Sequence, residues 1–90
     1  MAEFVLEFYV PRTDTDALAR GTASARKAAE QLTQKGKPVE YMRSIFIPED
    51  ETCFHVYEAV SADAVGEAAR RAALTFDRVA EAVVEAAETR

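Results

Sequence analysis

The only cysteine and the only histidine of the chain lie two residues apart, in the stretch ETCFHVYEA from Glu51 to Ala59. Cys53 and His55 could ligate a metal ion, because thiolate and imidazole are good ligands for borderline divalent cations. His55 could instead act as a general acid or base, since the ordinary pKa of histidine lies close to neutrality. Neither residue belongs to a complete catalytic signature. A histidine that only packs and a cysteine that only fills space are therefore open alternatives.

The composition is that of an ordinary globular protein. The 90 residues are 49% apolar and 30% charged, which predicts one folded domain over residues 1–90. Sixteen acids against eleven bases give a net charge of -5. This acidity disfavours nucleic acids and anionic membranes and suits cations. The sequence contains no glycine-rich phosphate loop, no CxxC, no HExxH and no RNA-binding aromatic motif.

The sequence also indicates the cellular compartment of the protein. A lone cysteine cannot form an internal disulfide, and the first residues, MAEFVLEFYV, lack the basic region and cleavage site of a signal peptide. No apolar run approaches the roughly 20 residues that span a bilayer. We therefore expect a cytoplasmic protein.

The first element that must position the reactive pair is a strand from Glu3 to Val10. Its apolar residues alternate, which is the period of a strand with one buried face. The alternation predicts that Phe4, Leu6, Phe8 and Val10 pack beneath helices. Glu3, Val5, Glu7 and Tyr9 then point to the opposite face.

Two helices and a hairpin follow in the sequence. The first helix is predicted to start at a cap, Thr13 or Asp14, and to stop near Gly36. Residues 39–47 and 51–59 read as the two strands of a hairpin. Ser61 or Asp63 caps a second helix, which ends near Leu74.

The tail from Phe76 onward carries two conflicting signals. Its alanines and glutamates favour a helix by intrinsic propensity, whereas its valines suit a strand. The order of the other elements predicts a ferredoxin-like α+β fold, βαββαβ, with two helices on one face of a single antiparallel sheet. That architecture requires a short strand around Val79 to Val84. It also leaves one sheet face uncovered, which favours a homodimer.

The alternation along the third strand decides where the reactive pair lies. If the large Phe54 and Val56 pack under the helices, the residues Cys53, His55 and Tyr57 face the uncovered side. Glu7 and His55 are then close neighbours, because the first and third strands are adjacent in this fold. From the second strand, the side chains expected to join them are Tyr41, Arg43 and Ile45.

These positions support two hypotheses of different class and a third without a ligand. In the first, Glu7, His55 and Cys53, aided by Glu3 or an acid of a second subunit, ligate a divalent metal ion. In the second, the protein is a cofactor-independent isomerase, cyclase or monooxygenase. His55 is then the acid or base, Glu7 orients it and Arg43 binds an anionic substrate. In the third, the uncovered face only makes the dimer.

Five short motifs carry a family resemblance by their order and spacing. They are FVLE (Phe4 to Glu7), Pro11, YMRS (Tyr41 to Ser44), VYEA (Val56 to Ala59) and RRAALTFDRV (Arg70 to Val79). In these motifs the chain resembles the small bacterial nickel-binding proteins of ferredoxin-like fold, formerly a domain of unknown function, from Phe4 to about Val84. The resemblance implies a dimer, nickel as the ligand and a strand in the tail.

The chain departs from the family pattern at four positions. Members typically carry a histidine where Arg43 stands, a cysteine where His55 stands, a histidine near Ala68 and a glycine where Ala73 stands. His55 replaces one good nickel ligand with another. Arg43 has the opposite effect, since a permanent cation repels a metal ion.

Overall fold

A computed structural model describes residues 1–85 of the chain. The elements in order are β1 (Ala2–Tyr9), α1 (Thr15–Gln34), β2 (Val39–Ile47), β3 (Thr52–Ala59), α2 (Ala62–Arg71) and β4 (Arg78–Ala82). A short 3-10 turn, Pro48–Asp50, joins β2 to β3. The four strands form one antiparallel sheet in the order β2-β3-β1-β4. This is the ferredoxin-like α+β fold that the sequence predicts.

Both helices pack against the same face of the sheet. Leu6 at the centre of β1 is fully buried in one cluster with Leu32 of α1 and Val65 of α2. We call this side of the sheet the covered face. The alternation predicted for β1 is confirmed, because Phe4, Leu6, Phe8 and Val10 all lie in this core.

Within residues 1–85 the opposite side of the sheet carries no helix, and we call it the open face. Side chains on it alternate with those of the covered face along each strand. From β1 they are Glu3, Val5, Glu7 and Tyr9, and from β3 they are Thr52, Phe54, Val56 and Glu58.

Each helix begins at a side-chain cap of the predicted type. The Oδ1 of Asp14 accepts a hydrogen bond from the backbone N–H of Ala17 at 3.1 Å. The Oγ of Ser61 accepts one from the N–H of Ala64 at 3.2 Å. The caps satisfy backbone donors that a helix start leaves free.

The fourth strand resolves the conflict in the tail. Residues Arg78–Ala82 form β4, so the helix that propensity alone favours is wrong for them. Val79 lies opposite Leu6 and packs against the core, and this burial outweighs the helix propensity of the neighbouring alanines. The remainder of the tail, residues 86–90, lies outside the described residues. Over residues 1–85, no helix has the length and apolar character needed to cross a membrane.

Ala73 closes α2 in a conformation that suits glycine better. Its φ is 58°, and the N–H of Leu74 donates to the carbonyl of Ala69 at 2.9 Å, as in a Schellman motif. Gly36 holds the same position after α1, with a φ of 94°. We expect Ala73→Gly to raise the free energy of unfolding by about 1 kcal/mol, because only the alanine Cβ is strained at positive φ.

Urea denaturation of Ala73→Gly beside Ala72→Gly checks this expectation. Ala72 has a φ of -82°, so glycine there brings only its entropic cost, roughly 0.5–1 kcal/mol of lost stability. Equal destabilisation by both substitutions would contradict the proposed strain at Ala73.

Candidate functional site

His55 lies on the covered face, not on the open face. In the β1–β3 register His55 is opposite Leu6, which is buried beneath the helices, whereas Glu7 is opposite Phe54. Directly paired residues share a face and neighbours alternate, so Glu7 and His55 project from opposite sides of the sheet. The prediction that they emerge side by side is wrong.

The same correction applies to the rest of β3. Cys53 and Tyr57 are fully buried on the covered face, and Phe54 and Val56 belong to the open face. Because β3 is apolar on both faces, the size of Phe54 and Val56 does not show which side of the strand packs under the helices. Pairing with β1 sets the register instead.

Aromatic rings surround the His55 imidazole. Its ring centroid lies 4.7 Å from that of Phe8, 5.2 Å from that of Tyr41 and 6.1 Å from that of Tyr57, all in edge-on geometry. Neither ring nitrogen has a hydrogen-bond partner within residues 1–85. Burial lowers the pKa of His55 from 6.5 to about 4, so the imidazole is neutral at pH 7.

Cys53 and Tyr57 are also held in their uncharged forms. Burial raises the pKa of the Cys53 thiol from 9.0 to about 11. A thiol rather than a thiolate is therefore present at pH 7, which disfavours both nucleophilic attack and metal ligation. Burial, followed by the nearby Tyr41, raises the pKa of Tyr57 well above its usual range. The Tyr57 hydroxyl has no partner among the described residues.

On the open face, Glu7 is paired with Arg78 of β4. The Nε of Arg78 donates to Oε1 of Glu7 at 3.0 Å, across directly paired strand positions. Arg43 lies elsewhere on this face, opposite Val56. The combination of His55, Glu7 and Arg43 required for acid–base catalysis is therefore not assembled in the protomer.

A register irregularity divides the three β2 residues expected on the open face. Tyr41 is paired with the buried Tyr57 and lies on the covered face, so its predicted position is wrong. Beyond a bulge between Tyr41 and Arg43, the strand brings Arg43 and Ile45 to the open face as predicted.

Carboxylates cluster at one end of the open face. Glu3 of β1 lies directly opposite Glu58 of β3, and we call these two residues the carboxylate pair. Glu40 of β2 occupies the next register position, opposite Glu58. The Oε1 of Glu3 is shielded from solvent and has no hydrogen-bond partner in the described part of the chain. Like charges placed directly opposite each other destabilise a sheet, so the pair is suited to a cation.

The predicted metal ligands do not converge in one protomer. Glu7 lies on the open face, while His55 and Cys53 are buried on the other. Within residues 1–85 no three histidine, cysteine, aspartate or glutamate side chains are grouped so that they could hold a metal ion.

Two helices on one face of a four-stranded antiparallel sheet define a ferredoxin-like α+β protein. A family model described as "Nickel responsive protein SCO4226-like" matches residues 4–82. The match covers most of the chain, and the protein belongs to this family. The resemblance inferred from the short sequence motifs is thereby confirmed.

A solved structure gives the same architecture. The crystal structure of SCO4226 from Streptomyces coelicolor A3(2) matches with a TM-score of 0.74 at 21% identity, over 94% of this chain and 100% of that chain. At this identity the match shows the fold alone. No curated protein matches the sequence.

Proposed function

We propose that this protein binds a divalent cation, nickel or a similar ion, at the carboxylate pair on the open face, as a homodimer. The observation that carries the proposal is the Oε1 of Glu3, which is shielded and has no hydrogen-bond partner in residues 1–85, on a residue paired with Glu58. The family description, which refers to nickel responsiveness, supports the choice of ion.

A cation at this position would relieve a local electrostatic cost. A buried carboxylate oxygen without a partner is destabilising, and Glu58 directly opposite adds repulsion. A divalent ion held by Glu3 and Glu58 would supply positive charge to both. For a given set of oxygen ligands nickel binds more tightly than manganese, iron or cobalt, so an oxygen-rich site is compatible with nickel.

A second copy of the chain is the natural source of further ligands. The open face exposes Tyr9, Ile45 and Ile47, which are 63%, 47% and 37% accessible in the protomer. Apolar surface of this kind favours association, and a two-fold axis would bring identical open faces together. Arg43 and the carboxylate pair share this face and are opposite in charge. In a two-fold dimer, Arg43 of one subunit can therefore lie opposite the carboxylate pair of the other.

Calorimetric titration of nickel into tag-free protein tests the cation site. We expect the double substitution Glu3→Gln/Glu58→Gln to weaken nickel binding about tenfold or more, because it removes both proposed carboxylates. The matched control is Glu49→Gln/Asp50→Asn, which changes the charge equally at the turn beyond the opposite end of β3.

The same titration also tests whether Glu7, His55 and Cys53 ligate the metal ion, which stays a prediction. If His55→Leu abolishes nickel binding while the carboxylate double substitution leaves it intact, the ion binds on the covered face and the proposal fails. Absence of nickel binding by the wild type would also refute it.

A further inference from the structure

A cleft opens between α1 and β2. Its volume is about 540 Å³, and its walls include Arg26, Ala29 and Thr33 of α1 together with Val39 and Tyr41 of β2. Sites for small molecules typically measure roughly 300–1,000 Å³, so the cleft is of suitable size.

Tyr41 connects this cleft to the buried polar groups. Its ring lines the cleft and meets the rings of His55 and Tyr57 edge-on, with centroids 5.2 Å and 5.8 Å away. The Arg26 guanidinium lies 5.6 Å from the centroid of the Tyr41 ring. The half-buried Tyr41 hydroxyl is hydrogen-bonded to Ser44. A single side chain therefore separates the cleft from the His55 and Tyr57 rings.

The groups behind Tyr41 lack hydrogen-bond partners. His55 and Tyr57 are both 0% exposed, and three of their polar atoms (Nδ1 and Nε2 of His55 and the Tyr57 hydroxyl) have no partner within residues 1–85. Each such group destabilises the fold when it stays unpaired. Buried polar atoms are almost always satisfied in native proteins, so these atoms call for a bound partner.

We propose that the cleft is a binding site for a small, uncharged aromatic molecule that carries a hydroxyl group. The aromatic ring lies against Tyr41 and Arg26, and a turn of the Tyr41 side chain lets the hydroxyl reach His55 and Tyr57. This site shares neither Glu3 nor Glu58 with the proposed cation site, although Glu40, which is paired with Glu58, also lines the cleft.

The chemistry of the cleft selects this ligand class. The Tyr41, His55 and Tyr57 rings suit an aromatic partner, and the Arg26 cation favours the face of such a ring. Glu30 and Glu40 also line the cleft and outnumber Arg26, so a neutral molecule fits better than an anion. A neutral imidazole has one donor nitrogen and one acceptor nitrogen, and a hydroxyl, which can donate or accept, can pair with either of them.

Phenol is the probe for the test, and the histidine is the reporter. The chain contains one histidine, so its imidazole gives a single set of NMR signals. In metal-free protein with a chelator present, at pH 7, we expect phenol to shift the His55 ring signals with saturation. Tyr57→Phe and Arg26→Gln should each weaken binding several-fold, whereas Phe54→Leu, on the opposite face of β3, should leave it unchanged.

Each result of this experiment decides the proposal. If millimolar phenol leaves the His55 signals unchanged, the proposal is overturned, and buried water is then the partner of these atoms. Saturable shifts that neither Tyr57→Phe nor Arg26→Gln weakens would place phenol elsewhere and also overturn it. No metal is present in the phenol titration, so a negative result there would not bear on the proposed nickel site. The nickel titration tests that site separately.

Discussion

Lowering the pH from 7 to 4 is expected to remove about 3 kcal/mol of folding free energy through His55 alone. Burial lowers the pKa of His55 to about 4 in the folded chain, while the unfolded chain keeps the ordinary value of 6.5. Between these two pH values the unfolded chain binds a proton that the folded chain does not. The contribution of His55 is thus fully present above pH 6.5 and is lost as the pH falls toward 4.

Urea denaturation of wild type and His55→Leu at pH 7 and pH 4 isolates this contribution. Leucine has a volume close to that of histidine and does not titrate, so the variant should lose less stability on acidification by about 3 kcal/mol. Carboxylates titrate in both proteins and cancel in the comparison. Tyr57→Phe keeps His55 and should retain the steep loss. Parallel pH profiles for wild type and His55→Leu would show that His55 is not held neutral by burial.

The second large effect is expected at the open face. Ile45→Asp should weaken dimerisation about 100-fold or more, which corresponds to roughly 3 kcal/mol. In the protomer Ile45 is 47% exposed, so an aspartate there is solvated and the fold is kept. Between two open faces the same carboxylate would be buried without a partner. Sedimentation equilibrium measures the difference.

Val60→Asp is the matched control for this experiment. Val60 is 53% exposed and lies beyond the last paired residue of β3, so its substitution adds the same charge outside the paired strands. We expect it to dimerise like the wild type. A monomeric wild type, or an Ile45→Asp variant that associates normally, would contradict the proposed interface.

The fold follows from signals that are local in the sequence. The strict alternation of β1, the caps Asp14 and Ser61 and the turn between β2 and β3 each determine one element, and the structure has all of them. The fourth strand needed more than local propensity, because Arg78–Ala82 is stabilised by pairing with β1. The valines of the tail, the order of the elements and the family resemblance together indicate this strand.

The orientation of β3 could not be read in the same way. Its apolar residues occur on both faces, so hydrophobic alternation does not fix which side chains point to the helices. The residues at the two ends of β3 indicate its orientation better. Ala59 is apolar and shares the alternation of Cys53, whereas Thr52 and Glu58 are polar and share that of Phe54. Weighing these ends would have placed His55 beneath the helices.

The candidate cation site was missed for the same reason. Glu3 was considered as an accessory ligand, but the facing position of Glu58 depends on the register between β1 and β3. Once β3 is turned over, the open face loses its cysteine and histidine and gains carboxylates. The predicted ligands Glu7, His55 and Cys53 offer oxygen, nitrogen and sulfur donors, whereas the proposed site offers oxygen donors.

Mapping bound nickel by NMR tests the central claim most directly. Backbone amide signals of the wild-type protein would be recorded during a nickel titration and the affected residues placed on the sheet. We predict that shifted or broadened signals centre on Glu3 and Glu58 at the end of the open face. Effects centred on Cys53 and His55, with Glu3 and Glu58 unaffected, would contradict the account.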